Sequence, residues 1–147
     1  MTKEDKDLLL QYLCMALPYG VKCQTKNGIG TLISVECSFG EKLVYVDFGR
    51  SEAEEYDLND GDTVKPYLRP VSSMTEEEKS QMTHDCYVIS LDFEQRTTDM
   101  VALWNTPRVI IWFLEHHFDF MNLIPKGLAL EAPEGMYNNK MNYEKRG

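Results

Sequence analysis

The chain has 147 residues with 24 acidic and 15 basic side chains, a formal net charge of -9, and 43% hydrophobic residues. A globular chain of this length buries roughly two-thirds of the surface its unfolded form exposes, so it can hold a core without disulfides or a structural metal. The same acidity argues against direct nucleic-acid binding, which needs a basic face toward the phosphates.

The opening Met-Thr-Lys-Glu-Asp-Lys-Asp carries both signs of charge, and the apolar run Leu8 to Leu17 is short and interrupted. It fits neither a signal-peptide core nor a membrane span, which sets the expectation of a cytoplasmic protein with no membrane partner. The run fits a helix. Thr2 can cap it, Glu4 and Asp5 suit the positive end of the helix dipole, and Leu9, Leu10, Leu13, Ala16 and Leu17 form one apolar stripe that Pro18 and Gly20 terminate.

From Val21 the period changes to two. Ile29, Thr31, Ile33, Val35, Cys37 and Phe39 alternate with smaller or polar residues, which predicts a strand with that set buried. Gly40-Glu41 turns the chain into Lys42–Phe48, giving an antiparallel hairpin. A third extended segment, Glu54–Leu58, precedes the turn Asn59-Asp60-Gly61-Asp62 and a strand over Thr63–Leu68, which Pro66 and Pro70 place at an edge or an exit of the sheet. Four or five short strands over residues 21–70 suit a small curved antiparallel sheet or a partly open Src-homology or Tudor-like barrel. The glycines of Gly28-Ile29-Gly30 open a strand and not a helix, so they read as a bend or bulge and not as a phosphate loop.

Ser73 with Glu76, or Thr75 with Glu78, offers a capping box for a short helix to about Thr83. Cys86–Phe93 carries a strand signal and Glu94–Asp99 reads as a polar loop. Thr106-Pro107 then starts a last helix that buries Val109, Ile110, Phe113, Leu114 and His117. Leu128-Ala129-Leu130 can pair or pack, and residues 134–147 lack any period. The expectation is a single α+β domain over residues 1–133, with two or more helices packed on the sheet, followed by a flexible tail.

Four blocks carry a resemblance: Leu17-Pro18-Tyr19-Gly20-Val21; Val64-Lys65-Pro66-Tyr67-Leu68-Arg69-Pro70 with Ser72-Ser73-Met74-Thr75-Glu76-Glu77-Glu78; His116-His117-Phe118-Asp119-Phe120; and Leu123-Ile124-Pro125-Lys126-Gly127-Leu128-Ala129-Leu130-Glu131-Ala132-Pro133. Together with Lys6-Asp7-Leu8-Leu9-Leu10 they resemble a family of small uncharacterised proteins found in gut anaerobe genomes and in their prophages and bacteriophages. The resemblance implies a mobile-element setting and one folded unit, and it brings no catalytic residues with it.

Candidate sites are few. His116, His117 and Asp119 form a polar cluster; with His84 and Cys86 they could be drawn as zinc ligands, but His117 continues an apolar stripe and is better explained as a core residue. No catalytic residue, metal or cofactor is therefore assigned. Cys14, Cys23, Cys37 and Cys86 show no Cys-x-x-Cys spacing and read as reduced, mostly buried thiols. Tyr67 and Arg69 alternate onto one side of their strand as a pair suited to binding, against the simpler reading that Tyr67 closes the sheet and Arg69 meets a carboxylate. Trp104, Trp112, Tyr87 and Phe93 read as core.

The whole negative excess lies between Ser51 and Met100. Glu52, Glu54, Glu55 and Asp57 head it and define a candidate acidic face for a protein partner. The sequence thus predicts a non-enzymatic interaction module that binds a host or phage protein. The alternative is an anti-defence protein that sequesters a small nucleotide signal, which needs Lys22, Lys26, Lys42, Arg50 and Lys65 to converge, or that imitates nucleic acid with its carboxylates.

Overall fold

The computed structural model describes residues 1–86 and 99–137, with side chains over 1–85 and 107–137. The chain is α+β and divides into two compact units, Met1–Leu68 with Met121–Glu131, and Arg69–Phe120 with Ala132–Gly147. No helix among the described residues is long and apolar enough to cross a membrane.

The first unit opens with helix α1 (Lys3–Ala16), whose cap is the one the sequence advertises: Thr2 Oγ1 accepts from Asp5 N at 3.1 Å. Leu9, Leu13 and Ala16 are buried as the stripe requires, and Tyr12 joins them. The sheet follows as β1 (Lys22–Thr25), β2 (Gly28–Glu36), β3 (Leu43–Asp47), β4 (Glu54–Asp57), β5 (Lys65–Leu68) and β6 (Leu130–Glu131). Its order is β4-β3-β2-β1-β5-β6, an open sheet in which only the β5–β6 pair is parallel. Leu130 therefore does pair, beside Tyr67, and β5 lies inside the sheet and not at its edge. Pro66 sits opposite Cys23 there, and β6 is only two residues long, so the strand loses little by lacking one amide.

The phase of β2 differs from the expected one. Gly30 and Leu32 face the core, whereas Ile29 and Ile33 are about half exposed at 49% and 48%. The register shift between Leu32 and Ser34 then reverses the alternation within the strand: the even positions face inward up to Leu32, opposite Val46, and beyond the extra residue Ile33 it is Val35 that lies opposite Val44. Gly30 is fixed by a close approach, because a Cβ there would lie 2.6 Å from Asp47 O and 2.6 Å from Val46 Cγ1. Helix α1 and the turn after it lie against β2.

In the second unit, α2 (Glu76–Cys86) begins with a complete capping box: Glu78 N donates to Thr75 Oγ1 at 3.1 Å, and Thr75 N donates to Glu78 Oε1 at 3.0 Å. Cys86 closes this helix and does not begin a strand; residues 87–98 and 138–147, which hold the rest of that expected strand and most of the expected tail, lie outside the described residues. Helix α3 (Asp99–Glu115) starts well before Thr106-Pro107, so Pro107 is inside a helix and not at its first position. Met74, Met82, Trp112, Phe113 and Phe118 form this unit's core, with Val71, Val109 and Phe120 packed against them. Of the expected core aromatics, Trp112 is buried; the side chains of Trp104, Tyr87 and Phe93 lie outside the described residues.

Candidate interaction surface

Strand β4 ends the sheet, so one side of its backbone has no strand partner among the described residues. Its acidic side chains alternate, and the alternation gives them different roles. Tyr56 is buried, and its hydroxyl lies 3.0 Å from Glu54 Oε2 and 3.0 Å from Thr25 Oγ1. Asn27 Nδ2 donates to both the Tyr56 hydroxyl and Glu54, at 3.0 and 3.2 Å. Glu54 is thereby tied to the β1–β2 turn as a structural residue. Asp57 likewise builds the next turn, accepting from Asn59 N at 2.9 Å while its own N–H donates to Asp62 Oδ2 at 2.9 Å. That backbone donor and then Lys26 hold the Asp62 carboxyl below the usual range.

Glu55 and Glu52 are exposed. Glu55 lies across from Tyr45, whose hydroxyl donates to Glu55 Oε1 at 2.7 Å and also approaches Glu36 Oε2 at 3.1 Å. Three strands thus contribute to one anionic ledge. The hydrogen bond to Glu55 is the main cause that pushes the Tyr45 hydroxyl up, so it stays protonated and donating.

The chain also displays Phe39 in the β2–β3 connection. It is fully exposed and sits in the left-handed region with φ 54° and ψ 37°. An aromatic side chain there is a strained outlier, and strain of this kind persists only where neighbours hold it. Asn59 Nδ2 donates to Gly40 O at 2.9 Å and Leu58 N donates to Lys42 O at 3.0 Å, so the turn after β4 grips the segment that carries Phe39. The segment that carries Phe39 and the end of the acidic edge strand are therefore neighbours. Sequence alternation assigned Phe39 to the core; the left-handed turn at Phe39-Gly40 is what takes it out, and the Phe-Gly pair before a strand was the available signal.

The remaining candidate residues have structural partners. Tyr67, half-buried on β5, donates its hydroxyl to Gln24 Oε1 at 2.7 Å and ties β5 to β1. Arg69, in the second unit, makes a two-pronged pair with Glu78, with both N–H···O distances 2.7 Å, and its guanidinium lies 4.2 Å from the Phe118 ring centroid. Burial alone would raise the Glu78 carboxyl, but the Arg69 and Thr75 donors outweigh it and hold the carboxyl low.

His116 and His117 do not share a helix face, because α3 ends at Glu115 and His117 is left-handed at φ 61°. His116 stacks on Trp112 at 3.9 Å between centroids, and its Nδ1 lies 2.8 Å from Trp112 O; a carbonyl only accepts, so Nδ1 carries the proton. His117 stacks on Tyr137 at 3.7 Å, and its Nδ1 is buried with no hydrogen-bond partner among the described residues. Burial first, then His116 and Arg69, push His117 down to about 4, so it is neutral near pH 7. Asp119 is buried, and its N–H donates to Arg69 O at 2.8 Å. His84 is exposed on α2, and no group of three or more His, Cys, Asp or Glu among the described residues could hold a metal ion.

Lys22 and Lys65 share a face of the adjacent strands β1 and β5, since Lys65 lies opposite Gln24, but the other three cations do not join them as one group. Lys26 pairs with Asp62, Lys42 with Asp7, and Arg50 approaches Glu54. Lys26 lies in the turn before β2 and Lys42 beyond its other end, roughly 26 Å apart along the strand. Of the cysteines, Cys23 is buried, but Cys14 and Cys37 are exposed, contrary to the expectation that most would be buried. No family model, curated protein or solved structure matches this chain.

Proposed function

We propose that the protein is a non-enzymatic interaction module that binds a basic protein partner through the β4 edge, with Phe39 as its apolar anchor. The observation that carries this reading is the fully exposed, left-handed Phe39 held beside an acidic edge strand. Glu52, Glu55 and Glu36 supply long-range attraction and orientation, which raise the association rate more than the affinity. Phe39 supplies the compact apolar contact that charged rims lack. The free backbone side of β4 suits a partner strand that adds to the sheet, a mode in which main-chain hydrogen bonds give affinity and side chains give selectivity. The resemblance to proteins of gut anaerobes and their phages supplies the biological setting, in which the partner is a host or phage protein.

Lys26, Lys42 and Arg50 are each engaged with a carboxylate, and Lys26 and Lys42 lie at opposite ends of β2, so the five cations do not form the single cluster that nucleotide capture needs. The experiment is capture from lysate of a cell that carries the gene, with wild type, Glu52→Lys/Glu55→Lys and Phe39→Ala as baits at low and high salt. A basic protein retained by wild type at low salt and lost with either variant supports the reading. Retention that ignores both variants and the salt refutes it. If the retained protein's contact site is its nucleic-acid site, the module acts by imitating a polyanion.

A further inference from the structure

We infer that the protein pairs with a second copy of itself through the outer face of its sheet, across a two-fold axis that runs along β2 and sets Lys22 of each copy against Asp47 of the other. The face lies wholly within the first unit, on the side of the sheet opposite the buried Cys23, Val44 and Tyr56. Its pattern follows from the strand register. One row crosses three strands as Lys22, Thr31 and Asp47, with Thr31 on β2 in the middle. Lys65 lies on the same side of β5, opposite Gln24, and Glu55 on the same side of β4, opposite Tyr45. Strands β1 and β5 contain no carboxylate and strands β3 and β4 contain no cation, so one flank of the face is basic and the other acidic. Between the flanks, β2 presents apolar side chains to water: Ile29 is exposed, and the bulge sets Ile33, also exposed, with Ser34 opposite Tyr45.

Such a face is complementary to its own copy in one orientation. A half-turn about an axis along β2 exchanges the flanks and keeps every residue at its height along the strand, so each basic flank lies over an acidic one and the isoleucines meet at the axis. A half-turn about an axis across the strands leaves the flanks in place and sets like charge on like charge, which is unfavourable. Lys22 and Asp47 lie one strand either side of the axis, about 4.8 Å from it, so the roughly 30° crossing of aligned sheets displaces them by only about 2.5 Å, well within a lysine's reach. Both side chains are already directed: Lys22 Nζ donates to Thr31 Oγ1 at 2.7 Å and so points toward the axis, while Asp47 Oδ1 accepts from Gly49 N at 3.0 Å, which fixes its carboxylate. From β4 to β5 the face is about 19 Å wide and β2 is about 30 Å long, so each copy offers roughly 600 Å², the low end of a specific interface. A contact of that size with charged flanks is reversible and sensitive to salt.

The test is sedimentation equilibrium of the purified full chain at low and high salt. Wild type should dimerise at low salt, with a dissociation constant that rises as salt is added. Lys22→Glu alone and Asp47→Lys alone should each weaken self-association by at least about tenfold, since each sets two like-charge contacts across the axis. Mixed together, the two variants should form a one-to-one heterodimer, because both contacts then join opposite charges; this rescue is particular to the two-fold arrangement, and a variant that had failed to fold would not show it. Ile33→Asp, at an exposed position, should also dissociate the dimer by placing carboxylates at the axis. The inference is overturned if wild type stays monomeric at about 300 µM in low salt, if the single reversals leave the dimer intact, or if the mixture associates no more tightly than either variant alone. Phe39 lies in the β2–β3 connection and outside these rows, so Phe39→Ala should dimerise as wild type does. Loss of partner capture in that variant and loss of the dimer in the others are therefore separate results.

Discussion

Replacing Arg69 by Met removes the centre of the second unit's polar framework while keeping an unbranched side chain of similar reach. In the native protein both guanidinium N–H groups donate to Glu78 at 2.7 Å, and the side chains of Arg69 and Glu78 are only 20% and 19% exposed. Breaking a fully buried pair by removing one partner costs about 3–5 kcal/mol, and a solvent-exposed pair contributes up to about 1 kcal/mol. With about a fifth of each side chain exposed, roughly 2 kcal/mol is appropriate for the stranded Glu78, and the contact over Phe118 adds about 0.5–1 kcal/mol. Arg69→Met should therefore destabilise by about 3 kcal/mol. Glu78→Gln retains the capping box with Thr75, because Gln also serves at that position, and should cost about 1.5 kcal/mol. The double variant should be less unstable than the sum, with a coupling of about 1–2 kcal/mol in urea unfolding followed by circular dichroism. A coupling below about 0.5 kcal/mol would refute the ion pair as a structural element and return Arg69 to the candidates for partner contact.

Three other outcomes follow from the geometry. The unfolded chain's histidine takes up a proton near 6.5 while His117 in the folded chain resists it down to about 4, so stability should fall by about 3 kcal/mol as pH drops through that window. Urea midpoints between about pH 7 and about pH 4 measure this, and His117→Asn, which tolerates the left-handed backbone, should flatten the profile; an unchanged profile contradicts the assignment. Phe39→Gly should raise stability by about 1 kcal/mol by relieving the left-handed strain, yet weaken partner capture, and a stability loss would show that the strain is not there. Gly30→Ala should cost about 1–3 kcal/mol in thermal or urea unfolding, since the added methyl meets the β3 backbone; a neutral result would mean that β2 and β3 can separate locally at no cost.

Local chemistry made much of the fold legible. Thr2 and the Thr75–Glu78 box mark helix starts in the sequence and occupy those positions in the structure. The β2–β3 hairpin followed from Gly40 between two alternating runs, whereas the β1–β2 hairpin escapes the sequence reading, because Gly28 is taken there with Gly30 as a bend or bulge and not with Asn27 as a turn. What periodicity could not carry was phase. One extra residue at Ile33 reverses which positions of β2 face inward beyond it, and a bulge leaves no mark in a pattern of alternating apolar residues. Pro107 misled for a related reason: the same residue that opens helices is accepted inside one when tertiary structure supports the turn before it.

The site was legible as composition and not as geometry. The charge count located Glu52 to Asp57, but only the hydrogen bonds separate Glu54 and Asp57, which build turns, from Glu52 and Glu55, which face solvent. Arg69 and the histidines looked functional because their partners are remote in sequence or, for His117, because the helix ends earlier than its apolar stripe suggests.

The most direct test of the binding surface is the affinity of the purified captured partner for wild type, Glu52→Lys/Glu55→Lys and Phe39→Ala across a salt series. Wild-type affinity should fall as salt rises, the double charge reversal should weaken binding at low salt and flatten that dependence, and Phe39→Ala should weaken binding at every salt concentration alike. Equal affinities for all three proteins, with the same salt dependence, would place the partner elsewhere on the molecule and contradict the assignment of the β4 edge.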